Sequence, residues 1–117
     1  MDKSRFTKLE RKELKRLVGL AYERELAKSL ESLGDDFKRW RKNKISAFEL
    51  SELIHKFHNG PARDLWSFYT TGHAELNVKH AITNGIILKA EISPGILEKL
   101  NISVLKGSQN EVEGEVE

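Results

Sequence analysis

From Ile45 to Tyr69 the chain reads ISAFELSELIHKFHNGPARDLWSFY, with apolar residues recurring at steps of three and four. That period belongs to a helix, because a strand alternates its faces every two residues. Ser46 and Glu49 form a capping box, each side chain taking the other's free backbone amide, so a helix starts here. Ala47, Leu50, Leu53, Ile54 and Phe57 then fall within one arc of roughly 120°, with His58 at its margin. Asn59-Gly60-Pro61 reads as a stop and a restart, since Gly supplies the left-handed conformation that ends a helix and Pro suits a first turn. Ala62, Leu65, Trp66 and Tyr69 share a face of the second helix. The segment is therefore predicted to be a helical hairpin closed on an aromatic cluster.

A second capping box, Thr7 with Glu10, precedes a longer periodic stretch. Leu14, Leu17, Val18 and Ala21 begin its stripe, and Tyr22, Leu26, Leu30, Leu33, Phe37 and Trp40 continue it. Gly34-Asp35-Asp36 predicts a break or kink, leaving a helix from near Lys8 to about Leu33 and a helical continuation to about Lys42. Beyond the centre, Leu76, Ala81 and Ile82 suggest a short helix ended by Asn84-Gly85. Ile86 to Leu88 fits a buried turn as well as a strand, and Ser93-Pro94 opens a last helix with Ile96, Leu97 and Leu100 inward. The expectation is an all-α domain over residues 1–106, a small bundle of four to five helices whose long N-terminal helix packs on the central hairpin. A mixed α/β fold is the alternative if Ile86 to Leu88 pairs as a strand. Residues 107–117 are read as a disordered acidic tail, too polar to offset the entropy of ordering.

Cysteine is absent, which excludes disulfides, thiolate metal sites and thiol nucleophiles. The longest apolar run, Ile86 to Leu88, is far short of the roughly 20 residues a bilayer requires, and the N-terminal residues are charged with no apolar signal core. A soluble, cytoplasmic protein without membrane contact is expected. Residues 1–44 carry 14 Lys/Arg against 8 Asp/Glu, whereas residues 45–108 balance at 6 against 6 and the tail adds four Glu. This asymmetry says more than the net charge of +2.

Three constellations could carry chemistry. Glu52, His55 and His58, with Glu49, His73 and His80 elsewhere, have the Glu-x-x-His spacing of di-metal bundles. Only one such motif is present, and the three residues fan round the helix by about 60° each, so no metal ligand and no cofactor is assigned. A calcium loop counted from Lys38 fails as well, because Lys38, Trp40 and Lys42 stand where ligands should be. The second constellation, His55, His58, Arg63, Trp66 and Tyr69 around the Asn59-Gly60-Pro61 corner, could grip a small acidic ligand. Against that, a first-turn Arg often pairs locally, here with Asp36 or Asp64, and aromatic residues on an apolar face are usually core. The third is the basic arm Lys38, Arg39, Arg41, Lys42 and Lys44 around Trp40, beside a first helix carrying Lys8, Arg11, Lys12, Lys15 and Arg16. Clustered cations favour phosphate backbones, although a solvated charged face looks the same in sequence. Nucleophilic, phosphate-loop and dinucleotide motifs are missing.

The pattern Phe37-x-x-Trp40-Arg41, Ile45, Glu49-Leu50, Ile54-His55-x-Phe57-His58-x-Gly60, Arg63-x-Leu65 and Tyr69 resembles a group of small uncharacterised bacterial helical proteins. The resemblance covers about residues 5 to 100. It implies an all-helical fold and points to His58 and Arg63, but it carries over no catalytic role. The leading functional expectation is a non-enzymatic helical interaction module with a protein partner or a second copy of itself, the dimer using the long first helix. The alternatives are a metal- or acidic-ligand-binding protein or enzyme built on the His55/His58/Arg63 corner, and a weak, sequence-tolerant nucleic-acid binder using the basic arm.

Overall fold

The computed structural model describes residues 5–101, which are helical nearly throughout; among the described residues no strand forms. Helix α1 runs unbroken from Lys8 to Arg41 behind the Thr7/Glu10 capping box. The break expected at Gly34-Asp35-Asp36 does not occur: α1 passes straight through Gly34, where an added Cβ would meet nothing within 4 Å. The chain turns instead at Asn43, whose φ of 60° is left-handed. The Lys44 N–H donates to the Arg39 carbonyl at 2.8 Å and the Asn43 N–H to that of Trp40 at 2.9 Å. This paired closure satisfies the last carbonyls of α1, with Asn in the place Gly usually takes. Ser46 and Glu49 then cap α2, Ala47–Phe57, with both reciprocal bonds present.

The corner predicted at Asn59-Gly60-Pro61 is absent. Phe57, Ala62 and Arg63 all keep right-handed helical dihedrals, and His58–Ala62 forms a single wide π turn that leads directly into α3, Arg63–Thr71. Pro61 has no N–H to give, and its ring crowds the carbonyl four residues back. Widening the turn moves that carbonyl away and lets the helix pass through the proline. The hairpin of this fold is therefore α1 against the α2–α3 rod, joined at Lys42–Lys44.

The extra residue in the π turn also sets register. At about 100° per residue, Tyr69 in an uninterrupted α-helix would lie about 100° from Leu50; one additional residue removes that offset. Leu50 and Tyr69 are accordingly both buried, and Leu53, Phe57 and Leu65 between them are half-buried. Two positions apart in the rod, Phe68 and Trp66 point roughly 200° apart. Phe68 turns to α4, with its ring 4.7 Å from that of His80, so Trp66 faces the other side and is 55% exposed.

Helix α4, Ala74–Thr83, closes at Asn84-Gly85 as expected, with Gly85 at φ 72° and the Ile86 N–H reaching the Ala81 carbonyl at 2.8 Å. Gly72, just before α4, allows a close approach: a Cβ there would meet the Asn77 Oδ1 and the Phe68 carbonyl oxygen, each at 3.0 Å. Ile86 to Leu88 is a turn, with Ile87 buried and Leu88 exposed. A short 3-10 turn, Lys89–Glu91, leads to α5, Pro94–Lys99, whose Ile96 and Leu97 are buried along with Leu100. The core gathers Phe6, Leu14, Leu17, Ala21, Val78, Ala81, Ile87, Ile92 and the α5 residues around the N-terminal half of α1. Each such aliphatic contributes about 1.5–3 kcal/mol by leaving water. The expected tail, 107–117, lies outside the described residues.

The result is an all-α bundle, but a flat one. Its extents are 55 × 41 × 16 Å and its radius of gyration is 18.5 Å, against about 13 Å for a compact chain of this size. The outer half of the hairpin is one helical layer thick, since a helix with side chains measures about 10–12 Å across.

Candidate functional site

The absent corner takes the expected ligand site apart. His58, Arg63 and Trp66, with Ala62, line an open groove of about 340 Å³ on the outer face of the rod. His55 is exposed and outside that groove, and Tyr69 is buried on the α1 side. Asp36, a predicted partner for Arg63, pairs with Arg39 at 2.8 Å instead. The side chains of Arg63, His55 and His58 make no hydrogen bond or ion pair with any described residue. Nothing holds the Arg63 guanidinium in place for a ligand, so the groove offers apolar surface and one free cation, not a preorganised clamp.

Tyr69 belongs to a different cluster, invisible in the sequence because α1, α3 and α4 each supply one member. Its hydroxyl donates to Glu25 Oε2, and the same oxygen lies 3.4 Å from His80 Nε2. On the other edge of the imidazole, the Asn84 amide lies 3.2 Å from Nδ1 and also donates to the His80 carbonyl at 2.8 Å. The Asn84 contact fits a lone pair on Nδ1 that accepts from the amide, while Nε2, at 3.4 Å, makes no hydrogen bond with Glu25. Burial, together with the Glu25 carboxylate, pushes the Tyr69 hydroxyl's ionisation above its usual range.

A cavity of about 430 Å³ opens beside this cluster, lined among others by Arg24, Lys28, His80 and Asn84. Arg24 is already committed, donating to the Ile86 carbonyl at 2.8 Å and pairing with both oxygens of Glu91 at 2.7 and 2.9 Å. Lys28 makes no ion pair among the described residues. A general base needs a free lone pair and a nucleophile needs a group to take its proton. Here Nδ1 is engaged by Asn84, Nε2 lies 3.4 Å from the Glu25 oxygen that already accepts from Tyr69, and the Tyr69 proton is held by Glu25. The geometry fits a clasp tying three helices together better than a reacting centre.

The basic arm closes the far end of α1. Arg39 pairs with Asp36 and the Arg41 guanidinium sits 6.0 Å from the Phe37 ring, while Lys38, Lys42 and Lys44 are without a charged partner among the described residues. Trp40, expected in the core, is 38% exposed because the hairpin has only one layer there. Among the described residues no group of three or more His, Asp or Glu is placed to hold a metal ion. No helix among them is long and apolar enough to cross a membrane. Comparison with family models, curated proteins and solved structures finds no match for the chain.

Proposed function

We propose that this chain is a small non-enzymatic helical interaction module that pairs with a second copy of itself through the open face of its hairpin. The observation that carries this reading is exposed apolar surface on both arms of the hairpin, which helical periodicity turns away from α4 and α5. On α1 it comprises Tyr22, Leu26 and Leu30, which line a groove with Gly19. On the rod it comprises Ile54, Ala62 and Trp66, which the π turn keeps nearly in line. Leu30, Ile54 and Trp66 are 45%, 39% and 55% exposed.

A helix pair buries its apolar stripes fully only against a further layer, and a second hairpin related by a two-fold axis supplies one as a four-helix bundle. The face is self-complementary in charge. Glu23 borders the α1 groove and Arg63 the rod groove, and neither has an ion-pair partner among the described residues.

Sedimentation equilibrium tests the reading. At micromolar concentration the chain should run at twice its 13.4 kDa mass. Leu30→Lys with Ile54→Lys should return it to monomer with helix content unchanged, since both side chains are exposed in the protomer. Removing one central apolar side chain from an interface costs on the order of 2 kcal/mol, about thirty-fold in affinity. A wild-type chain that stays monomeric at hundred-micromolar concentration (on the order of 1,000-fold above a tight dimer's Kd) would refute it.

A further inference from the structure

A groove of about 900 Å³ lies at the N-terminal end of α1, where that helix meets the start of α4. Its floor is apolar, formed by Phe6, Leu9, Leu14 and Ala74, with Leu9 78% exposed. Lys8, Lys12 and Lys15 stand along the wall at helical steps of four and three. None of the three ammonium groups has a hydrogen bond or ion pair with a described residue, and the one carboxylate at the rim, Glu75, is taken by Arg5 at 2.7 Å. Three uncompensated cations around exposed apolar surface call for an occupant that is acidic and partly apolar.

We propose that the occupant is the chain's own C-terminal segment, Glu111–Glu117, held in cis. Its sequence is EVEGEVE. In an extended chain successive side chains alternate sides, so Glu111, Glu113, Glu115 and Glu117 would share one edge and Val112 and Val116 the other. The carboxylates meet the lysines and the valines meet the floor. The described chain also ends near the groove's rim: Arg5 bridges Glu75, at 2.7 Å, to the Lys99 carbonyl, at 2.5 Å, and Lys99 Nζ lies 5.9 Å from the Phe6 ring centroid.

Residues 102–110 span at most about 30 Å when extended, enough to bring Glu111 into the groove. The other basic patch is out of reach for the first acidic residues, because Lys38 lies about 45 Å along α1 from Lys8. Tethering supplies an effective concentration on the order of millimolar, so a contact too weak to form between separate chains is populated within one. The groove is thereby a self-occupied site for acidic, apolar-alternating peptide.

The absence of cysteine allows a clean test on the full chain. A nitroxide on Gly114→Cys should broaden the amide signals of Leu9, Lys12 and Ala74 at low salt, and they should lose most of their intensity. Broadening should vanish at about 0.5 M salt, where screening is complete within a few ångströms. It should also vanish with Lys8→Glu, Lys12→Glu and Lys15→Glu combined. If that variant unfolds, Glu→Gln at 111, 113, 115 and 117 makes the same test without touching the helices. Broadening centred on Lys38–Lys44, or none above the uniform background, overturns the proposal. So does equal broadening when the spin label and the isotope label sit on separate chains, which assigns the contact to a second copy.

Discussion

The Tyr69 hydroxyl donates a hydrogen bond to the Glu25 carboxylate, joining α3 to α1 where the rings of Tyr69 and Tyr22 stack at 5.4 Å. A phenolate at this place would be stripped of water and would face a carboxylate, so the folded chain holds the proton more tightly than the unfolded one does. Stability is therefore full below about pH 10, the ordinary tyrosine range, and falls as the pH rises above it. Tyr69→Phe keeps the ring and removes the proton. It should cost about 1–2 kcal/mol at neutral pH and flatten the alkaline loss, which urea titrations from about pH 8 to 11 would measure. An unchanged alkaline slope in Tyr69→Phe would place the loss on other groups.

At the acid end the responsible pair is Arg24 with Glu91. Hydrogen bonds from Arg24, then from the Leu88 N–H, hold the Glu91 carboxyl down to about 2, from an ordinary value of 4.5. A depressed carboxylate contributes stability that is present above the unfolded value and lost as the pH falls toward the folded one. Thermal melting should accordingly worsen between pH 4.5 and about 2, and Glu91→Gln should soften that decline. The pair is exposed, so added salt should reduce the difference between the two chains.

Where sequence and fold agree, a local rule decided the structure alone. Thr7/Glu10, Ser46/Glu49 and Asn84-Gly85 each satisfy backbone groups within a few residues and appear where expected; Pro94 opens α5 as expected, although the Ser93 side chain makes no capping hydrogen bond. At Asn59-Gly60-Pro61 local rules point to a stop, but α1 is long enough to pair with both flanking segments, and packing along it carries the helix through. Asn43 gives little signal in the sequence, because Asn tolerates the left-handed region without announcing it as Gly does. Trp66 and Tyr69 share a face at ordinary spacing, yet one is exposed and the other buried, since Tyr69 follows the α1 seam and Trp66 stands beside it. Glu25, Tyr69 and His80 have no telling spacing, because they meet only when three helices pack.

The register set by the π turn gives the sharpest test of the fold. Deleting Asn59 while changing Pro61→Ala removes both the extra residue and the reason for the wide turn. A plain α-helix of the shortened length keeps Leu50 and Tyr69 on one face, since each residue removed rotates the rest of the rod by about 100°. This variant should fold with near-native stability and retain the Tyr69 contact to Glu25. Deleting Ser67 shortens the rod equally but leaves the π turn in place, so Tyr69 swings about 100° off the α1 seam. Its cost should resemble removal of a buried aromatic side chain, about 3–5 kcal/mol. Urea midpoints and near-ultraviolet circular dichroism separate the two chains. Equal damage from both deletions would mean that rod length, and not rotational register, is what the π turn adjusts.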